Sequence, residues 1–440
     1  MIKALKILLT VLITSFYYFP FYSTFLPTIT KNILAALGIV FIIIEMIRKK
    51  DASVPRELFI LLFLSGMVSL ISLVSITYNQ TPDSGYATFI RSTIIWLSGA
   101  FMVCFLIRSV HGRIDVPLVA HYLIGACLFQ CVSAILIEFI PAFRAFVDRY
   151  VIQGQSVLQE MGRLYGIGAS LDVAGSRFAA VLAAIAFLLV SSPENDSIGK
   201  TLFYTFSFVV ITVIGNMIAR TTTVGALIGL AWMIISPFIL PRKDQENRRS
   251  GKGIAILIML GVLIGVSFVL YNAFPDVQRL FRFGFEGFFA WVETGEWKTS
   301  STNMLETMVV WPDDLKTWII GDGYFENSRY DPNYLGSATT FGYYMGTDIG
   351  YLRFLFYFGI AGLVWIIAFI AYSAYICANY FTRYAWLFVL TLAVSLTVWT
   401  KVATDLFLFF CMFLCAAALN ESSEDSPEST NAEFEPLETT

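Results

Sequence analysis

The chain is predicted to be an all-α polytopic membrane protein, and three observations predict it. Of its 440 residues, 57% are hydrophobic and only 14% charged, whereas a soluble domain carries about a quarter charged residues. Its mean hydropathy is +0.71. Apolar runs close to the ~20 residues that a bilayer demands recur along almost the whole sequence. They lack the strict alternation of outer-membrane barrel strands.

Taken in order, about twelve spans are expected, near 4–22, 29–47, 57–77, 88–107, 115–139, 167–190, 201–218, 221–240, 252–272, 348–375, 383–399 and 402–419. The first run opens with Lys3 and Lys6 and has no small-x-small cleavage site before the next run, so it reads as a helix rather than a cleaved leader. The last two spans depend on a break near Thr400–Lys401; without it they form one long bent helix. Basic residues set the orientation. Arg48, Lys49, Lys50 and Arg56, then Arg108 and Arg113, then Arg242, Lys243, Arg248, Arg249 and Lys252 fall on one side if the N-terminus is cytoplasmic.

The chain then divides into residues 1–272 with about nine spans, a long external loop domain at 273–347, C-terminal spans at 348–420 and a tail at 421–440. The tail holds seven acidic and no basic residues, so the formal net charge of -3 conceals a remainder of about +4. Its Ser, Glu, Pro and Thr content predicts a disordered, solvated segment. The six cysteines, at 104, 127, 131, 377, 411 and 415, lie in or beside spans, a placement that points to neither a disulfide framework nor a zinc site.

Two external segments stand out: 141–166, and the loop 273–347, which is far longer than a connection requires. In "PDVQRLFRFGFEGFFAWVETGEW" a single helix would gather Phe281, Phe285, Phe288 and Phe289 near one face. Arg279, Arg282 and Glu286 would fall near another. That pattern fits a helix in the membrane interface or a packed helix of an external cap. "GDGYF" at 321–325 reads as a turn, because no lysine-bearing helix follows it.

Arginines approach the membrane from the external side at four places: Arg163 before the sixth span, Arg177 within it, Arg220 at the junction of the seventh and eighth, and Arg353 in the tenth. An interfacial arginine is costly unless paired or facing a wet cavity. Its planar fork suits phosphate. Together the four predict an outer cavity for an anionic, phosphate-bearing lipid. Thr221, Thr222 and Thr223 add hydroxyls, and the amide groups opening the eighth span favour an anion. Simpler roles are also open: Arg177 pairing with Asp172, Arg353 pairing with Asp348 or Asp405, and Lys401 pairing with Asp405.

These segments resemble a known family. "RLYGIGASLDVAGSRFA" (163–179) resembles the arginine–glycine motif in the middle of the O-antigen polymerase and ligase family. "IARTTTVGALIGL" (218–230) is similar to that family's central arginine and glycine helix. "LKTWIIGDGYF" (315–325) resembles its turn after a short helix, and "GTDIGYLRFLFYFGIAGL" (346–363) its segment returning to the membrane. The resemblance runs from about 160 to 365. It implies a GT-C-type glycosyltransferase that uses neither cofactor nor metal. The implied donor is an oligosaccharide on undecaprenyl pyrophosphate, transferred to a sugar hydroxyl with inversion. Arg163 and Arg220 match the family's arginines and, with Arg353, would hold the pyrophosphate leaving group.

Ligases of the family carry a histidine–asparagine pair where this chain has Thr347–Asp348, and the loop contains no histidine. Asp348 followed by glycine and Tyr351 is more similar to the polymerases of O-antigen or capsule. The family's serine–arginine in mid-loop is replaced by "SSTNMLETM" (300–308), with Arg329 the nearest alternative. As general base, Asp348 comes first, then Glu306 and Asp322; Asp348 as a helix N-cap is the alternative. Thr221, Thr222, Tyr351, Asp322 and Lys401 complete the expected substrate contacts. The resemblance implies a polymerase in the bacterial inner membrane with a periplasmic site. Its partners would be the lipid-linked oligosaccharide, the growing polysaccharide, a chain-length regulator and the bilayer, with no nucleic acid. An O-antigen ligase acting on lipid A core is the second reading, and a transporter or flippase of a lipid-linked or anionic solute the third.

Overall fold

The structure is a computed structural model. It describes residues 2–48, 56–153, 158, 162–191, 197–239, 249–326 and 343–424. The tail beyond 424, Arg329, Lys49, Lys50, Arg242, Lys243 and Arg248 lie outside the described residues.

A helix occupies each of the twelve expected stretches. In chain order the helices are α1 (Ile2–Tyr18), α2 (Thr30–Arg48), α3 (Arg56–Asn79), α4 (Phe89–His111), α5 (Val116–Phe139), α6 (Pro141–Tyr150), α7 (Leu171–Val190), α8 (Ile198–Ile218) and α9 (Thr222–Ile239). They continue with α10 (Arg249–Ala273), α11 (Pro275–Gly284), α12 (Glu286–Thr294), α13 (Ser300–Met308), α14 (Leu315–Ile320), α15 (Gly350–Tyr380), α16 (Ala385–Val398) and α17 (Phe407–Glu424). Eight of these, α2–α5, α7–α9 and α15, are long and apolar enough to cross a membrane. Shorter apolar helices lie at Met259–Ala273, Thr382–Val398 and Phe407–Asn420. The chain is thus an all-α multi-pass membrane protein with eight such helices among the described residues. The break near Thr400 is real: α16 ends at Val398 and α17 starts at Phe407, so these are two helices.

The core centres on α7. Every residue from Ala174 to Leu188 is buried, as expected of a helix that is hydrophobic all round. Its alanines let neighbours approach closely. A Cβ added at Gly225 of α9 would lie 2.2 Å from the Ala179 backbone, so only glycine permits this crossing. The sole regular strands among the described residues, β1 (Tyr22–Ser23) and β2 (Val151–Ile152), pair antiparallel and tie the end of α1 to the end of α6.

Helix α15 is broken at Phe358–Gly359, where Gly359 has φ +68°. The break frees backbone carbonyls inside the protein, which must find donors. The predicted turn after α14 supplies them. Asp322 N donates to Phe356 O (2.6 Å) and Gly323 N to Tyr357 O (3.1 Å), while Ser75 Oγ of α3 donates to Tyr357 O (2.7 Å). The turn at 321–325 is therefore a cap on a broken helix. The first part of α15, Gly350–Tyr357, is held apart from the span that follows, and it carries Arg353.

The single amphipathic helix expected from 275 does not form. Phe285 leaves helical geometry (φ -120°, ψ 30°), and α11 and α12 separate there. Arg282 pairs with Glu293 and Arg279 with Glu138. Glu286, now at the start of a new helix, turns toward α8 and α9.

Candidate functional site

Chain connectivity brings the end of α8 and the starts of α7, α9 and α15 to one end of the bundle, beneath α11–α13. Arg220 stands in the short link between α8 and α9. Its guanidinium pairs with Glu286 at the start of α12, and its Nη2 donates to Ser300 Oγ (3.0 Å). Glu286 also accepts from the Ser300 amide (3.1 Å) and hydroxyl (3.0 Å). The Arg220 side chain is 13% exposed.

Arg163 meets Arg220 at one aromatic ring. The two guanidinium carbons lie 5.1 and 4.9 Å from the centroid of Phe283, within cation–π range. Leu164 N donates to Met217 O (3.3 Å), which docks the Arg163 segment on the end of α8. Among the described residues Arg163 forms no ion pair, and its buried Nε has no hydrogen-bond partner. Burial pulls its pKa down; nearby Asp172 opposes that shift and Arg220 reinforces it.

Asp172 and Lys401 close the next part of the cluster. Lys401 Nζ donates to Asp172 Oδ1 (2.7 Å) and to Thr221 Oγ1 (3.2 Å); Thr221 in turn donates to Asp172. Neither of the pairings open from sequence forms here: Asp172 does not pair with Arg177, and Lys401 does not pair with Asp405.

Asp348 and Arg353 complete the site. Arg353, only 6% exposed, places Nη1 3.2 Å from Asp348 Oδ1. Its Nη2 donates to Phe325 O (3.1 Å), and its guanidinium stacks on Phe325 at 3.8 Å and Tyr343 at 4.7 Å. Asp348 is not the helix cap: that position is Ile349, and Thr347 Oγ1 accepts from Ile349 N (3.3 Å). Burial pushes the Asp348 carboxyl up to about 6; Asp172 adds to the rise, while Arg353, Lys401 and a Tyr343 hydrogen bond oppose it. A carboxyl poised there can take a proton near neutral pH. Leu171, before Asp172, and Met345, three residues before Asp348, both have φ +53°. That conformation is strained for a side-chain-bearing residue, and such strain gathers at functional sites.

Beside the Phe283 arginines opens a cavity of about 450 Å³ between α5, α8, α10 and α11. Apart from Ser267 its lining is apolar, and it includes Leu164, which follows Arg163, together with Met217, Leu280 and Phe281, close in the chain to Arg220 or Phe283.

Of the expected site residues, the structure gathers Arg163, Arg220, Arg353, Asp348, Thr221 and Lys401. It places the others elsewhere. Thr222 is fully buried against Gly215. The amides opening α9 are also occupied: Thr222 N, Thr223 N and Val224 N bond to the carbonyls of Ala219, Arg220 and Thr221. They offer no free anion cradle, contrary to expectation. Tyr351 donates to Leu396 O (2.8 Å) and packs on Trp399, pinning α15 to α16. Asp322 is saturated by Lys316 (2.5 Å), Thr317 (2.6 Å) and Tyr344 (3.1 Å) in the turn that caps α15. Glu306 is exposed on α13. The site residues not anticipated as such are Asp172, Phe283, Glu286, Ser300 and Tyr343. Asp172 lay inside the quoted 163–179 motif, whereas Phe283 is one of 40 phenylalanines and carried no distinguishing signal.

No family model matches the chain, and no curated protein matches it.

Proposed function

We propose that the protein is a polysaccharide polymerase of the inner membrane. It would join oligosaccharide units carried on undecaprenyl pyrophosphate at the periplasmic face. One observation carries the reading: two partly buried arginines, one without an ion pair among the described residues, converge on Phe283 beside an apolar cavity. An amphiphile with a phosphate head and a hydrocarbon tail matches both halves of that arrangement.

Within this reading Arg163 and Arg220 hold the diphosphate and stabilise its charge as the glycosidic bond breaks. Asp348 takes the proton from the acceptor hydroxyl, which attacks the anomeric carbon from the opposite face. Arg353 holds Asp348 in place. Lys401 and Asp172 brace the junction between the two groups.

The test is deletion of the gene followed by analysis of surface glycan. Single repeat units still attached, with long chains lost, support a polymerase. Loss of all attachment indicates a ligase acting on lipid A core, and accumulation of lipid-linked units on the cytoplasmic leaflet a flippase. Unchanged glycan removes the proposal.

A further inference from the structure

The arginine cluster lies at one end of the bundle. At the other end a second cavity opens between the start of α3 and the end of α15. Its volume is about 420 Å³, within the ~300–1,000 Å³ of ligand sites. Helix α3 lines it with Arg56, Glu57 and Ile60, and α15 with Tyr372, Tyr375 and Asn379. The two helices run antiparallel. The far end of α3 donates to the break and the turn that support Arg353, from Ser75 to Tyr357 O (2.7 Å) and from Asn79 to Gly321 O (3.0 Å). Helix α3 has 24 residues and is about 36 Å long at ~1.5 Å per residue. The cavity is therefore remote from the arginine cluster. Arg48 and Arg383, at the adjoining ends of α2 and α15, mark the same side.

Arg56 is exposed and Glu57 partly buried, and neither forms an ion pair among the described residues. Neighbours in a helix do not face each other, so their charges stay apart. Both charges act on the Tyr372 phenol. The Tyr372 and Tyr375 rings stack at 6.0 Å. A cation and an anion that do not neutralise each other suit a ligand carrying both signs. The helix ends agree: the start of α3 favours an anion, and the last turn of α15 favours a cation. Tyrosines are at home at headgroup depth, and their ring faces attract an ammonium group.

Below the cavity the same two helix faces turn apolar. Phe63 follows Ile60 by three residues, and Trp365 precedes Tyr372 by seven, so both keep to the cavity's side of their helices. Their rings meet edge to face at 6.1 Å, and Phe63 is 59% exposed. An acyl chain can lie along this seam while its headgroup fills the cavity.

We propose that the cavity binds a phospholipid with an ethanolamine headgroup, its phosphate on Arg56 and its ammonium on Glu57. A headgroup of net negative charge would leave Glu57 facing it unneutralised. A trimethylammonium group keeps the attraction to the tyrosine rings but has no N–H to donate to Glu57. The site stands whether or not the proposed function does.

The test mixes the purified full chain in detergent with phosphatidylethanolamine, phosphatidylcholine or phosphatidylglycerol of identical acyl chains. Native mass spectrometry then counts the lipid retained. Phosphatidylethanolamine should be held about tenfold more tightly than either other lipid, the worth of one charge-assisted hydrogen bond. Glu57→Gln should bring it down to the level of phosphatidylglycerol, with thermal unfolding showing that the variant is folded. If that variant does not fold, Arg56→Met decides, and should lower phosphatidylethanolamine retention about tenfold. Equal retention of the three lipids, preference for either of the others, or undiminished retention in the folded variant overturns the site. Glycerophosphoethanolamine, a headgroup without chains, should fail to displace the lipid. Displacement would overturn the lipid assignment in favour of a soluble phosphoethanolamine ligand.

Discussion

Lys401 Nζ lies 2.7 Å from Asp172 Oδ1 and joins the segment after α16 to the first turn of α7. The two residues are 229 positions apart, yet both act electrostatically on Asp348, with opposite signs.

That relationship predicts a pH dependence. With the Asp348 carboxyl at about 6, the proposed transfer should rise with pH through that value, because Asp348 acting as base must be charged. Lys401→Met removes a stabilising cation and should move the acidic limb upward. Asp172→Asn removes a repelling anion and should move it downward. A pH–rate profile of the purified enzyme on lipid-linked substrate checks both directions; two unmoved limbs would exclude Asp348 as the base.

The same group affects stability. Its folded pKa of about 6 exceeds the unfolded value of about 3.9. The folded state therefore holds the extra proton between these values. Its contribution is full below pH 4 and is lost as pH rises through 6, by about 3 kcal/mol. Subtracting the unfolding free energies of Asp348→Asn from those of wild type between pH 4 and 7 should recover a fall of that size.

Arg220→Ala should lower transfer about 10²- to 10³-fold, the loss typical of one donor to a developing charge. Arg220→Lys should restore only part of it, because lysine keeps the charge but not the planar fork. Normal chain length with alanine at 220 would remove this residue from the mechanism.

Glu286 and Ser300 occupy Arg220. On the proposed function, an incoming diphosphate must displace the carboxylate. Glu286→Gln should therefore tighten inorganic pyrophosphate binding several-fold, as measured by calorimetry. Weaker binding would mean that Glu286 positions Arg220 rather than competing for it.

Gly225→Ala forces a methyl group into the Ala179 backbone and should destabilise the protein by about 1–3 kcal/mol, or more if the helices cannot part. Gly261→Ala in α10, with nothing within 4 Å, should be neutral or slightly stabilising. Thermal unfolding in detergent separates the two.

The sequence by itself determined the long apolar helices and their order, because an apolar run of bilayer length has few other stable forms. It also marked the arginines that gather at one end, since charges beside such runs are rare and conspicuous. Pairing was decided only by tertiary structure. Asp172 chooses Lys401 over Arg177, and Arg220 chooses Glu286, because α11 breaks at Phe285 and turns its partner helix inward. The turn at 321–325 takes its role from a break in α15 at Gly359, 38 residues after Gly321. Contacts between segments so distant in the chain depend on how whole helices pack, and no local pattern encodes that.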